Sequence, residues 1–404
     1  MFRQNKVIGL IGRYSLNTIP DSIRREISNP LITIDQKGEI QPLLAYSWEV
    51  LDGGRRYRFH LRNDLFWTDK NPFTAQDIQY SFVDVKIKTI DDYTIDFILK
   101  EPLNIFPIYL TQPVIKPPLT GVGSLYTVDS YKVRKNELKK LTLSPNKPEL
   151  PSKSYVFYDT EEKLVTGFKR GDITYFQTAS RTVADTFSPW KNTNVTKSLD
   201  YNKVMVLFLN TKSGPLQERD VRKGIAYGTP SFPDLGEKAK SPIPPVSWAY
   251  HDDIKEYPFN EERAKTLIEK NLSASSSAKL TLYTFFDYLE IAQTLKKSYE
   301  NLGLSIQLKI VSSPPDSTDP FDMFLTVWNP PADPDQYFFW HSTQVNTNIT
   351  HLNNPKIDKL LEDGRRVVNV KQRQAIYADF QKNIAEEVPA YFMYHPYMYT
   401  IDRR

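Results

Sequence analysis

KLTLYTFFDYLEIAQTLKKSYENLGLSIQLKIV, residues 279–311, carries the reading that sets the fold class. Lys279–Phe285 reads as a strand. Asp287–Leu302 follows with Ile291, Leu295, Tyr299 and Leu302 at helical spacing, and Gly303 stops the helix. Leu304, Ile306, Leu308 and Ile310 then alternate as in a second strand. Strand, helix and strand in that order imply a parallel pair joined by a right-handed crossover, the unit of an α/β sheet.

Working outward, residues 322–328 form another strand that runs into Asn329-Pro330-Pro331. Helices are expected over 355–367 and 371–387, and a last strand over 390–400. Upstream, residues 203–209 read as a strand that is continuously apolar after Lys203, as in a strand covered on both faces. Arg219–Tyr227 is a helix, and the proline-rich stretch 229–258 reads as a boundary. Ser273–Ser277 reads as a surface loop.

The first half is richer in β-structure. Within residues 38–62, Tyr57, Phe59 and Leu61 alternate with Arg56, Arg58, His60 and Arg62, after a turn at Asp52-Gly53-Gly54. Thr74 and Asp77 suit a helix start, with Ile78, Ser81 and Phe82 on its inner face. Residues 93–99 alternate again through Ile95, Phe97 and Leu99. Five prolines between 102 and 118 suggest a connector outside the core. Glu161–Lys169 reads as a helix stopped at Gly171-Asp172, before a strand at Ile173–Phe176.

The bulk numbers narrow the function. A chain of 404 residues is too long for one ordinary core. A net charge of +4, with acidic and basic residues interleaved, gives no basic patch of the kind nucleic acid requires. Without cysteine there is no disulfide, thiolate metal site or cysteine nucleophile. No run of about 18 apolar residues is present, so no spanning helix is expected. Val7–Ile11 is too short an apolar core for a secretory leader. The 24 Tyr and 22 Phe fit either large inter-sheet cores or a ligand-lining surface.

Catalytic signatures are absent: no phosphate loop, no GxSxG elbow, no HExxH. His251-Asp252-Asp253 has no second histidine at ligand spacing and suits a solvated loop. Asp333-Pro334-Asp335 places two carboxylates close together, but the proline makes a rigid turn whose acids can satisfy loop amides. Trp328, at the end of a strand, fits both a stacking platform and a lid on its own core. No enzyme, cofactor or metal is expected from these residues.

Longer patterns carry a family resemblance. Pro42-Leu43-Leu44-Ala45-Tyr46-Ser47-Trp48 resembles the P-x-L-A-x-S-W motif of the dipeptide- and oligopeptide-binding proteins (family 5) of ABC importers. Tyr57–Arg62, Phe66-Trp67-Thr68-Asp69 and Phe73–Phe82 continue the match. Gly121–Tyr126, Lys169–Ile173, Asn210–Tyr227 and Trp328 with Asp333–Phe338 follow in the family's order.

The resemblance implies a two-lobed α/β periplasmic-binding-protein fold of type II, a clamshell, with an extra domain in the first lobe. Residues 1–33, 118–230 and 395–404 would form the first lobe, 34–117 the extra domain and 231–394 the second lobe. It implies a peptide-like ligand between lobes, ABC importer permease subunits as partner, and a monomer outside the cytoplasmic membrane, tethered by a segment beyond these residues. Ligand contacts are expected from Trp328 by stacking, Asn329 and Asn210 by hydrogen bonds, Tyr391 near the last strand, and Asp333. Tyr46, Trp48 and Trp67 are expected to be structural. A glycan, metal chelate or opine-like solute, or a surface chaperone or adhesion role, are the alternatives.

Two departures matter. Only about ten residues separate Phe82 from Tyr93, where the family carries a long helical insertion, so the extra domain is shortened. Peptide binders of the family place an aspartate three residues after the tryptophan, to pair with the ligand's α-ammonium. Pro331 stands there, leaving Asp333 as the nearest substitute.

Overall fold

The structure is a computed structural model that describes residues 5–271, 279–316 and 318–404. The expected loop at Ser273–Ser277 lies outside the described residues. Two compact units divide the chain. The first comprises Met1–Ser198 and Met398–Arg404, the second Leu199–Tyr397.

The second unit is built on the strand Val204–Leu209, every residue of which is buried. Alternation explains why. Met205, Leu207 and Leu209 enter a core shared with Val221 and Ile225 of the helix Arg219–Tyr227 and with Leu295 and Tyr299 of the helix Leu289–Asn301. Val204, Val206 and Phe208 enter another, shared with Ile357 and Leu361 of Pro355–Arg366 and Tyr377 and Phe380 of Val370–Glu387. Helices cover both faces, so each side chain has an apolar destination.

The sheet of this unit runs in the order Ser305–Ile310, Lys279–Thr284, Met323–Trp328, Val204–Leu209 and the first part of Ala390–Arg403. Lys279–Thr284 pairs in parallel with Ser305–Ile310, as the strand–helix–strand reading requires. Gly303 ends the intervening helical segment at φ +87°, a left-handed conformation that glycine adopts without steric cost.

In the first unit, Lys6–Ile11 lies in parallel between Lys153–Tyr158 and Tyr175–Thr178. Glu137–Pro145 and Tyr126–Arg134 extend the sheet on one side, and Tyr399–Asp402 pairs on the other. Ile8, Ile23, Ile27, Leu141 and Phe157 form its core. A separate core gathers residues 31–122 around Tyr57, Phe59, Phe97 and Phe106, under an antiparallel sheet of Ala45–Leu51, Arg56–Leu61, Thr94–Leu99 and Val85–Asp91. Gly121 joins the two regions at close quarters: a Cβ there would sit 1.5 Å from the carbonyl oxygen of Ile27.

Three expectations differ from what is seen. The helix expected from Thr74 is a single 3₁₀ turn, Ala75–Asp77. Asp77 folds back, its carboxylate accepting from the Thr74 N–H (2.9 Å) and from Trp67 Nε1 (3.1 Å). The chain then leaves extended, with Val83 fully exposed. The proline-rich stretch 102–118 is irregular, yet Phe106, Leu110 and Val114 are buried in the core. Lastly, residues 199–230 and 395–397 fall in the second unit, and the proline-rich 229–258 lies inside it. Pairing of Val204–Leu209 with Met323–Trp328 draws them there; proline content could not signal a long-range partner.

Candidate functional site

Met323–Trp328 is parallel to Lys279–Thr284 and antiparallel to Val204–Leu209, with Trp328 opposite Val204 and Met323 opposite Leu209. Trp328 therefore sits at the carboxyl end of the parallel strands, the end where open α/β sheets bind ligands. It is also the end at which the chain enters and leaves this unit, because Val204 pairs with Trp328 and Tyr394 with Met205 there.

The indole is half-buried. Phe339 lies at 5.4 Å between ring centroids, Trp340 and Phe392 at 6.3 Å and Phe208 at 6.4 Å, three of the four nearly edge-on. Such edge contacts fix the plane of the ring. Trp328 thus caps its own core and keeps part of its surface accessible. Asn329 follows and is exposed.

The loop beyond is pinned by charge. Asp333 is buried, and its two oxygens accept from Arg373 Nη1 (3.2 Å) and Nη2 (2.8 Å). One of them also accepts from the Asp335 N–H at 2.9 Å. Arg373 Nε donates to the Gly364 carbonyl at 3.0 Å, and the guanidinium lies 5.2 Å from the Trp248 ring. Burial acts to lower the pKa of this guanidinium, but Asp333 outweighs it and raises it above its usual value. With both oxygens committed and its charge neutralised, Asp333 is not placed as a free counter-charge for a ligand ammonium.

Asp335 is tied in the same way, accepting from Arg365 Nε at 3.0 Å and from the Tyr337 N–H at 3.2 Å. Arg365 also lies 4.2 Å from the Tyr337 ring. Gln336 donates to the Pro242 carbonyl (2.8 Å) and accepts from Trp340 Nε1 (2.7 Å). The turn reading of Asp333-Pro334-Asp335 is therefore the one the geometry supports. Arg373, Arg365 and Gln336 escaped the sequence reading. One signal was present: Arg373 shares the buried face of its helix with Tyr377, Phe380 and Ile384, an arginine on an apolar stripe that demands a partner.

Asn210 and Tyr391 do not join this cluster. Asn210 follows Leu209, so it lies at the opposite end of the strand pair, about 20 Å from Trp328 at the rise of a β-strand. Its Nδ2 donates to the Phe321 carbonyl (2.9 Å) and its Oδ1 accepts from the Lys212 N–H (3.1 Å). Tyr391 pairs with Leu207 and packs on the sheet face opposite Trp328. Its hydroxyl donates to the Tyr257 carbonyl at 3.1 Å, and burial, with Glu256 adding, pushes its pKa up to about 12. It lines a separate cavity of about 460 Å³ with Phe232, Lys238 and Phe259.

Residues 39–349 match the family model of bacterial extracellular solute-binding proteins, family 5, over most of the chain. The chain belongs to that family. As a family 5 protein it binds a solute outside the cytoplasmic membrane for delivery to an ABC importer, and it is not an enzyme. Its fold is the two-lobed α/β periplasmic-binding-protein fold.

Among curated relatives, the oligopeptide-binding protein AppA of Bacillus subtilis is 23% identical over 96% of this chain and 86% of its own. Among solved structures, AppA from Bacillus subtilis in complex with a nonapeptide matches with a TM-score of 0.76, at 20% identity over 99% of this chain and 94% of that one. NikZ from Campylobacter jejuni in complex with Ni(L-His) matches at 0.78, with 18% identity over the same shares. Among the described residues of this family 5 member, no group of three or more His, Cys, Asp or Glu could hold a metal ion, and no helix is long and apolar enough to cross a membrane.

Proposed function

We propose that this protein binds a peptide-like solute through the surface built on Trp328 and Asn329, and that it does not select for a free N-terminal ammonium there. The observation that carries this reading is the Asp333–Arg373 pair: the acid nearest Trp328 in sequence is buried and neutralised by Arg373, and Pro331 has no charge to offer. Transferring an ammonium to such a surface without a partner carboxylate costs several kcal/mol, roughly 3–5. Trp328 supplies a rigid stacking face, and the exposed Asn329 amide can donate to and accept from a peptide bond. A neutral amide-rich chain suits that pair better than a zwitterion.

The same reading makes residues 34–117 the shortened extra domain, supported by their own aromatic core, and makes the protein a monomer that delivers to permease subunits from a membrane tether. Isothermal calorimetry with matched peptides, free and N-acetylated, tests it. N-acetylated peptides should bind as tightly as free ones or more tightly. A tenfold preference for the free amine would refute the selectivity, and no binding of either series would refute the peptide-like ligand.

A further inference from the structure

A second polar pocket lies wholly within the first unit, between the helix Asp21–Ile27, the extended segment after Asp77 and residues 112–117. Its walls are tied together. Val114 N–H donates to the Asn29 carbonyl at 3.0 Å, and the Tyr80 hydroxyl donates to the Gln112 carbonyl at 2.8 Å. The pocket encloses about 370 Å³, room for a small molecule.

The charges of the helix single out one residue. Arg25 pairs with Asp21 at 2.7 Å. Glu26 receives Lys153 Nζ at 2.6 Å and the Tyr155 hydroxyl at 2.7 Å. Arg24 is half-buried, lines the pocket, and makes no side-chain hydrogen bond or ion pair among the described residues. Guanidinium groups held part-way out of water ordinarily find an anion. The one acid on the lining, Asp77, is already engaged by Trp67 Nε1 and the Thr74 N–H. Lys116 adds a second positive charge at the wall, shared with Asp69 at 3.5 Å. Gln79, Ser81 and Gln112 supply neutral donors and acceptors beside it.

We infer that this pocket is a binding site for a small carboxylate-bearing solute, with Arg24 as its anchor and the Gln79 and Gln112 amides as secondary contacts. The guanidinium fork matches a carboxylate in two parallel hydrogen bonds, and the neutral amides around it match hydroxyl or amide groups on the same molecule. The residues of this site belong to the first unit and Trp328 to the second.

The test is a titration of the full chain with succinate, with the uncharged diamide of succinate, and with inorganic phosphate. It is read by the side-chain N–H resonances of Arg24, Gln79 and Gln112 at constant ionic strength set with chloride. Succinate should shift them saturably and the diamide should not. Arg24→Gln should weaken that binding roughly tenfold or more, while Trp328→Ala leaves it unchanged. Phosphate binding without succinate binding would overturn the carboxylate assignment. Shifts no larger than chloride gives, or equal binding by the Arg24→Gln protein, would overturn the site.

Discussion

The two ends of one strand pair, Val204–Leu209 against Met323–Trp328, are built to different ends. At Asn210 every polar group of the side chain is matched within the fold, to the Phe321 carbonyl and the Lys212 N–H. At Trp328 the ring is braced from behind by four aromatics and left half-open, with Asn329 exposed beside it. A satisfied end contributes stability; an end with a rigid open face is available to a solute. The lesson is that a residue's type does not say which kind of end it occupies. Both carry an asparagine.

The strongest way to break the comparison is to loosen the open end from behind. Arg373→Met leaves Asp333 buried without its counter-ion and should cost roughly 3–5 kcal/mol of stability in urea unfolding. Arg373→Lys should recover only part, because a lysine cannot make the two parallel bonds. Next is Trp328→Ala, which should weaken solute binding by about 2 kcal/mol, roughly thirtyfold, measured by calorimetry. Unchanged affinity would move the site away from that strand end. Asn210→Ala should do the reverse: a loss of roughly 1–2 kcal/mol of stability from two unmatched backbone groups, with affinity unaltered.

The smallest expected effect concerns pH. Burial holds the His395 imidazole below its ordinary value of 6.5, opposed in part by the Lys203 carbonyl, to which Nδ1 donates at 2.8 Å, and by Asp200 and Glu237. The fold thus prefers the neutral ring. The stability it contributes is complete above about 6.5 and falls as pH drops through that value toward the lower folded-state value. His395→Gln should flatten this part of the acid limb in thermal melts, and an unchanged limb would assign it elsewhere.

Much of the fold was legible because its signals are local. The apolar run 204–209, the 279–311 unit and the helix Arg219–Tyr227 need only periodicity and a stop residue to be read. The extended path after Asp77 was not, because it depends on where Asp77 turns its carboxylate, toward Trp67 ten residues earlier. The half-open strand end at Trp328 was legible, and the contacts around it were not. Asp333 looked free because its partner lies 40 residues on. Asn210 and Tyr391 looked close to Trp328 because antiparallel register and the alternation of faces cannot be read from one strand alone. Arg24 gave no signal at all in a helix of mixed charges; only the pairing of its neighbours shows that it is left over.

Arg373 reaches three places at once: the loop at Asp333, the end of the preceding helix at Gly364, and its own helix. The loop after Trp328 is therefore expected to open together with those helices. In hydrogen exchange, its protected amides should trade with solvent only when the two C-terminal helices separate from it, as one cooperative unit with one opening free energy. On the proposed reading, a solute at this strand end would be accommodated by side chains on the exposed side of the indole, over a backbone expected to stay still.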